Sequence, residues 1–125
     1  MQTFRANDDT LRQALAAYLH RFPDDARLRD WLGERYGDAL DRTQQVEVEV
    51  EAVRAAMASI IRSTEDFLWA EPGGVDWSGD ADVRLRQRLQ AVHPWLDDAG
   101  FDRLVRFSRW LCWHEGLNVP ATPAA

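Results

Sequence analysis

The 125-residue sequence has no lysine, only one cysteine and no long apolar run. With Cys112 alone an intrachain disulfide is impossible, and a reducing compartment is the simplest expectation. No apolar stretch approaches the roughly 20 residues that a membrane-spanning helix needs, and the first nine residues lack the apolar centre of a secretory signal. Exclusive use of arginine is typical of a GC-rich coding sequence. We therefore expect a cytoplasmic, bacterial protein that does not enter a membrane.

The balance of charge limits the partners that the chain attracts. A net charge of −6 at neutral pH opposes general affinity for nucleic acid or anionic lipid, because both bind through a positive field. From residue 81 onward, however, the sequence contains six arginines and five acidic residues. An anionic partner would therefore have to contact the C-terminal third, and nucleic acid is not the partner that we expect.

Motifs for catalysis, cofactors and metals are also missing. The sequence contains no glycine-rich phosphate loop and no nucleophile elbow. Cys112 and His114 have no second ligand pair at zinc spacing, and the acidic run from Asp76 to Asp82 lacks the turn glycine and the closing acid of a calcium loop. We therefore predict no metal and no cofactor, and enzyme activity has no positive support.

Apolar residues at helical spacing predict helices over about residues 8–21, 24–36 and 38–70, from a cap at Ser78 or Asp80 to His93, and over about 99–115. The expected fold is all-α, a single-domain bundle of four to five helices with a long third helix. The domain covers residues 1–117, and residues 118–125 are predicted to be a disordered tail. His20 and His93 lie near helix ends where the backbone dipole favours a positive charge.

The third segment carries two competing patterns. Val46 to Glu51 alternates as a half-buried strand does, whereas the apolar residues from Val46 to Phe67 keep a helical 4-3 spacing without glycine or proline. The longer pattern favours a helix of about 48 Å at 1.5 Å per residue. Such a helix either breaks near Thr43–Gln45 or projects and pairs with another copy. Val48 points away from the apolar stripe, so we expect it to be exposed or to contact a partner.

The last predicted helix is the most informative element. At 100° per residue, one side is an ordinary apolar core face. The other side carries aromatic and basic residues, namely Arg103, Arg106, Phe107, Arg109, Trp110, Trp113 and His114. Because tryptophan and arginine dominate binding hot spots, we predict that this side contacts another protein.

The leading functional hypothesis is a small acidic module that binds another protein stoichiometrically, as immunity proteins, antitoxins and adaptors do. Glu47 and Glu51 lie one turn apart on the third helix, and this acidic surface would suit a basic partner protein. The alternative role of the aromatic side is structural. In that case the last helix lies centrally and is covered by the 71–80 loop and by Trp69, Trp77 and Trp95.

Two further functional alternatives stay open. Arg109-x4-His114 resembles the R-x4-H signature of HEPN-type ribonucleases, in which the two residues meet at a dimer interface and act on RNA. Trp110 departs from the polar residue usually found beside the arginine, and Arg88-x4-His93 fits the same pattern. The resemblance implies an RNA-directed nuclease or RNA binder. The last alternative is a structural homodimer that pairs through the tryptophans or through the valines of the third helix, Val46, Val50 and Val53.

Overall fold

The computed structural model describes residues 7–40 and 44–118, with the side chains of residues 35–40 and 44–47 outside that description. Its helices are α1 (Asp8–Tyr18), α2 (Asp25–Leu40), α3 (Gln44–Ala70), α4 (Ala81–Val92) and α5 (Asp98–Glu115). Within these residues the chain forms no strand, and its only β-type pairings are two isolated bridges. The predicted all-α bundle of five helices with a long third helix is confirmed.

Short polar side chains and glycine set the ends of several helices. Asn7 and Asp97 each accept a hydrogen bond of 2.9 Å from a backbone amide, of Thr10 and Gly100 respectively, and so cap α1 and α5. Gly116 ends α5 in the left-handed conformation, with a φ of 69° that glycine adopts without a steric penalty.

Some predicted boundaries differ from the structure. α1 ends at Tyr18, before the predicted end at residue 21. α2 continues through Gly37 to Leu40, because a glycine inside a helix costs only about 1 kcal/mol relative to alanine. The predicted stop at Gly37 is therefore wrong. The predicted segment 38–70 is divided, since its first three residues belong to α2 and α3 begins at Gln44.

The predicted break near Thr43–Gln45 falls at this junction, of which residues 41–43 lie outside the described chain. At the other end, Asn118 was expected to begin a disordered tail but pairs with Val75 in an isolated bridge. The rest of the predicted tail, residues 119–125, also lies outside the described chain. The part that is described therefore ends on a contact with the loop before α4.

α3 is the centre of the bundle, because it contacts each of the other four helices. Its apolar stripe is buried, as the 4-3 spacing predicts, and consists of Val50, Val53, Met57, Ile60 and Thr64. The Thr64 hydroxyl donates to the backbone oxygen of Ile60 at 2.7 Å, so the one polar member is satisfied within its own helix. Val48 lies off the stripe and is exposed.

A second, smaller apolar cluster lies where the 71–80 loop meets the end of α5. Its buried members are Leu68, Val75, Ala81 and Cys112. The backbone nitrogen of Val75 donates to the backbone oxygen of Leu117 at 2.7 Å. Side-chain packing and a main-chain hydrogen bond therefore hold this loop against the C-terminal end of α5.

His93 joins the end of α4 to α3. Its ring is buried, and its Nε2 lies 3.1 Å from Oγ of Ser63. Burial lowers the pKa of His93 below the usual histidine value, so the side chain is neutral at neutral pH. The prediction of a positive charge at this helix end is therefore wrong for His93. Burial of the ring destabilises its charged form by more than the helix dipole stabilises it.

Acid should destabilise the fold through His93. The pKa of His93 is lower in the folded protein than in the unfolded chain, so the unfolded chain binds the proton first as the pH falls. The stability contributed by neutral His93 is complete above the unfolded value of about 6.5 and is lost as the pH falls through the folded pKa. Urea unfolding at pH 7.5, 6 and 5 should give a smaller loss of stability for His93→Gln than for the wild type. Equal losses would contradict this, and exposed His20→Gln is the control.

Candidate protein-binding face

One side of α5 is only partly covered by the rest of the bundle. Trp113 is 73% exposed and Trp110 is 37% exposed. The basic side chains around them are exposed or half-buried. We call this set the Trp/Arg face, and it consists of Arg103, Arg106, Arg109, Trp110, Trp113 and His114.

Phe107 is the predicted contact residue that does not belong to this face. It is only 4% exposed and packs in the main core, so its predicted place among the partner contacts is corrected. On the helix it borders the core side, and the turn between α1 and α2 covers the neighbouring surface. Its ring stacks with that of Trp110 at a centroid distance of 6.4 Å. Phe107 therefore belongs to the core and packs against the inner side of Trp110.

Trp110 is held by two further rings. Phe22, in the turn between α1 and α2, lies edge-on to it at a centroid distance of 4.8 Å. His114, one turn further along α5, stacks on it at 4.9 Å with an interplanar angle of 24°. Such ring contacts contribute beyond simple burial. Trp110 is thus fixed in one orientation while more than a third of it stays accessible.

Phe22 is a member of this surface that sequence reasoning did not identify. It is 48% exposed and stands directly before the helix-breaking Pro23. Nothing in the spacing of a two-helix turn shows which distant helix it contacts, so only the packing of α1 against α5 brings Phe22 to Trp110. A large apolar residue in an otherwise polar turn is the one signal that could have drawn attention to it.

The opposite edge of the face is bounded by the 71–80 loop. The guanidinium carbon of Arg109 lies 5.2 Å from the centroid of the Trp77 ring, which is within cation–π range. The Trp77 indole N–H is buried beside the Cys112 thiol. Burial raises the pKa of Cys112, against a smaller lowering by Trp77. Cys112 is therefore packed as a small apolar side chain, and its burial disfavours the thiolate form.

The three tryptophans proposed as a cover for the last helix lie in different places. Trp95 is buried in the main core, and Trp77 borders the face along one edge only. Trp69, near the end of α3, is 59% exposed and leaves the face uncovered. The loop and the turn between α1 and α2 therefore frame the outer side of α5 without closing over it.

The arginines of the face have no carboxylate partner among the residues that the structure describes. Arg106 donates through Nε only to the backbone oxygen of Asp102, at 3.5 Å. Arg109 uses its guanidinium group against the Trp77 ring. Both side chains are exposed, so their charges are solvated in the free protein and remain available for an anionic group of a partner.

The two residues of the R-x4-H pattern diverge on α5. Five positions along an α-helix correspond to about 140° around its axis beyond a full turn. Arg109 lies against Trp77, whereas His114 stacks on Trp110. Within one chain they do not converge on a common point where a phosphate could bind. The other match to the pattern ends in His93, which is buried.

In the described part of the chain, no group of three or more His, Cys, Asp or Glu side chains could hold a metal ion. None of the helices described here is both long and apolar enough to cross a bilayer. Comparison of the chain with known protein families, with curated proteins and with solved structures finds no match. Functional inference therefore rests on the geometry of the molecule itself.

Two alanine substitutions on α5 should distinguish a residue that stabilises the core from one that lies on the surface. Phe107→Ala removes a buried ring and should lower the free energy of unfolding by about 3–5 kcal/mol. Trp113→Ala removes an exposed ring and should change it by less than about 0.5 kcal/mol. Urea unfolding followed by circular dichroism measures both. Trp113→Ala that destabilises as much as Phe107→Ala would show that the tryptophan is packed in the core.

Proposed function

We propose that this protein acts by stoichiometric binding to another protein through the Trp/Arg face of α5. The observation that carries the proposal is the exposure of Trp113 beside arginines that lack a carboxylate partner in the described chain. Covering a large aromatic side chain removes on the order of 150–250 Å² of surface from water. A surface helix has no folding reason to place two tryptophans outward, because their burial elsewhere would stabilise the fold more.

The two tryptophans of the face differ in how far they are already packed. Trp110 is already packed against Phe22, Phe107 and His114, so little rotamer freedom is left for it to lose on binding. Trp113 projects further into solvent and offers the larger uncovered area. This arrangement favours a partner with a concave apolar surface that receives Trp113 and closes over the outer edge of Trp110.

The charges around the tryptophans favour a partner with acidic groups at its rim. Arg106 and Arg109 are exposed, and each donates a planar fork that fits a carboxylate. The chain as a whole carries −6, so long-range attraction does not drive this encounter. The partner's acidic groups therefore act at contact range, around an apolar centre.

The basic partner predicted for the acidic stretch of α3 is a separate hypothesis. Glu51 already lies 3.5 Å from Arg54, in an ion pair that is exposed on both sides. The side chain of Glu47 is outside the described residues. This stretch therefore supports a partner less than the Trp/Arg face does, although the two surfaces would suit different proteins and do not exclude one another.

Single-stranded RNA is the second candidate, because exposed indole rings stack on bases while arginines contact phosphates. Trp113 and Arg106 offer both kinds of group on one side of α5. The net charge of −6 opposes it, since nucleic acid affinity depends on a positive field. A nuclease would further require Arg109 of one copy to meet His114 of a second copy.

Capture from the lysate of native cells, with exposed Trp69 as a matched control, tests the proposal. Tagged wild type and Trp69→Ala should retain the same protein at equal stoichiometry after nuclease treatment. Trp113→Ala should retain at least tenfold less, as expected for a hot-spot residue worth more than about 1.4 kcal/mol. Equal retention by Trp113→Ala and Trp69→Ala would overturn the proposal.

The same samples separate the other candidates. Recovery of RNA alone, lost with nuclease treatment and with Trp113→Ala, would support the RNA binder. A light-scattering mass of two chains for the purified protein, reduced to one chain by Trp113→Ala, would assign the face to a homodimer. A monomeric mass with a captured protein partner is the outcome that we expect.

A further inference from the structure

The exposed residues of the Trp/Arg face follow a fixed order along α5. Arg106 and Trp110 are four residues apart, and so are Arg109 and Trp113, so each arginine stands one helical turn before a tryptophan. All four side chains are exposed. From Arg106 to Trp113 the helix rises by about 10 Å, at 1.5 Å per residue. Within this length the face has a basic half, toward the N-terminus of α5, and an aromatic half.

The acidic residues on this side of α5 lie toward its two ends. Asp102 is one turn before Arg106, and its backbone oxygen accepts from the Nε of Arg106 at 3.5 Å. Glu115 lies at the other end, with its Oε1 3.3 Å from Nδ1 of His114. Repulsion by these two carboxylates disfavours an acidic group of a partner at either end. Such a group is therefore favoured in the middle, beside Arg106 and Arg109.

The face is bordered on both edges, which favours a single segment of a partner chain. The Phe22 ring lies 4.8 Å from that of Trp110 on one edge, and the Trp77 ring lies 5.2 Å from the guanidinium carbon of Arg109 on the other. In the middle of α5 the backbone N–H and C=O groups bond within the helix. An extended segment would therefore gain no main-chain hydrogen bonds there and would lose those that it makes to water. A helical segment fits better, because it satisfies its own backbone groups before it docks.

We infer that the Trp/Arg face binds an amphipathic helix of the partner protein, in which one turn carries two acidic residues and the adjoining turn carries two large aliphatic residues. This inference rests on the proposed function and adds the chemical class of the partner. The carboxylates accept from the guanidinium groups of Arg106 and Arg109. The aliphatic side chains pack on Trp110 and Trp113, and Phe22, which is 48% exposed, borders the aromatic half along one edge.

Selection from a library of random helices tests this inference without the native partner. Peptides of roughly 18 residues are displayed on phage with one face randomised, because isolated helices shorter than about 12–15 residues are marginal in water. The full-length protein is the target, and phage that also bind Trp113→Ala are discarded. We expect the enriched sequences to place Asp or Glu one helical turn from Leu, Ile or Met. Enrichment of basic or uncharged sequences, or no enrichment at all, would overturn the inference.

Variants test the charged contacts with an enriched peptide made by synthesis. Arg106→Gln should raise the Kd of the peptide about tenfold, as expected for a lost hydrogen bond to a charged group. Replacing the acidic residues of the peptide with their amides should also raise it, and Arg106→Gln should then have no further effect, because both changes remove one interaction. Additive effects would contradict the pairing. Arg88→Gln on α4, also an exposed arginine, is the control and should leave the Kd unchanged.

A proline in the peptide tests the helical form of the partner. Proline at a central position of the face that is not randomised should raise the Kd at least tenfold, because it breaks the helix without touching the contacts, whereas alanine there should not. An unchanged Kd with proline would show that the peptide binds in an extended form and would overturn the inference. Capture from the native lysate that depends on Trp113, together with a library that enriches no acidic helix, would remove this inference and leave the proposed function standing. Capture that does not depend on Trp113 would remove both.

Discussion

The buried stripe of α3 is the constraint on which the rest of the structure depends. Val53, Met57 and Ile60 are fully buried, and α3 contacts each of the other four helices. Each of the other helices is thus placed by the surface that it must bury against α3. This explains why the acidic, alternating start of the segment still forms a helix, since the strand-like pattern is local whereas the burial is shared by the whole bundle.

The same constraint decides what α5 leaves exposed. One side of α5 is used against the core, with Leu104 and Cys112 fully buried. The turn that carries Phe22 reaches one edge of the outer side and the loop that carries Trp77 reaches the other. Neither connection closes over Trp113, which stays 73% exposed. A strip of aromatic and basic side chains therefore remains in solvent, between two edges that hold it in place.

Much of the fold could be predicted from the sequence because it depends on period and on local caps. The 4-3 spacing from Val50 to Phe67 and the caps at Asn7, Asp97 and Gly116 act within a few residues of themselves. The predicted stop at Gly37 was wrong, because a glycine weakens a helix but does not by itself end it.

The candidate sites were predictable only in part. A helical wheel gives the angle of Phe107 but not which neighbour covers that angle, so its burial could not be derived. The contact of Phe22 with Trp110 arises between segments that are distant in sequence. The neutral state of His93 likewise depends on α3 covering it. Tertiary contact is the information that a single sequence does not carry.

Site-specific photo-crosslinking in the native cells tests the central claim most directly. A photoreactive amino acid replaces Trp113 in one strain and Trp69, which is also an exposed tryptophan but lies on α3, in another. Binding through the Trp/Arg face predicts one discrete protein adduct at position 113 that is absent at position 69. No adduct at position 113, or the same adducts at both positions, would contradict that claim.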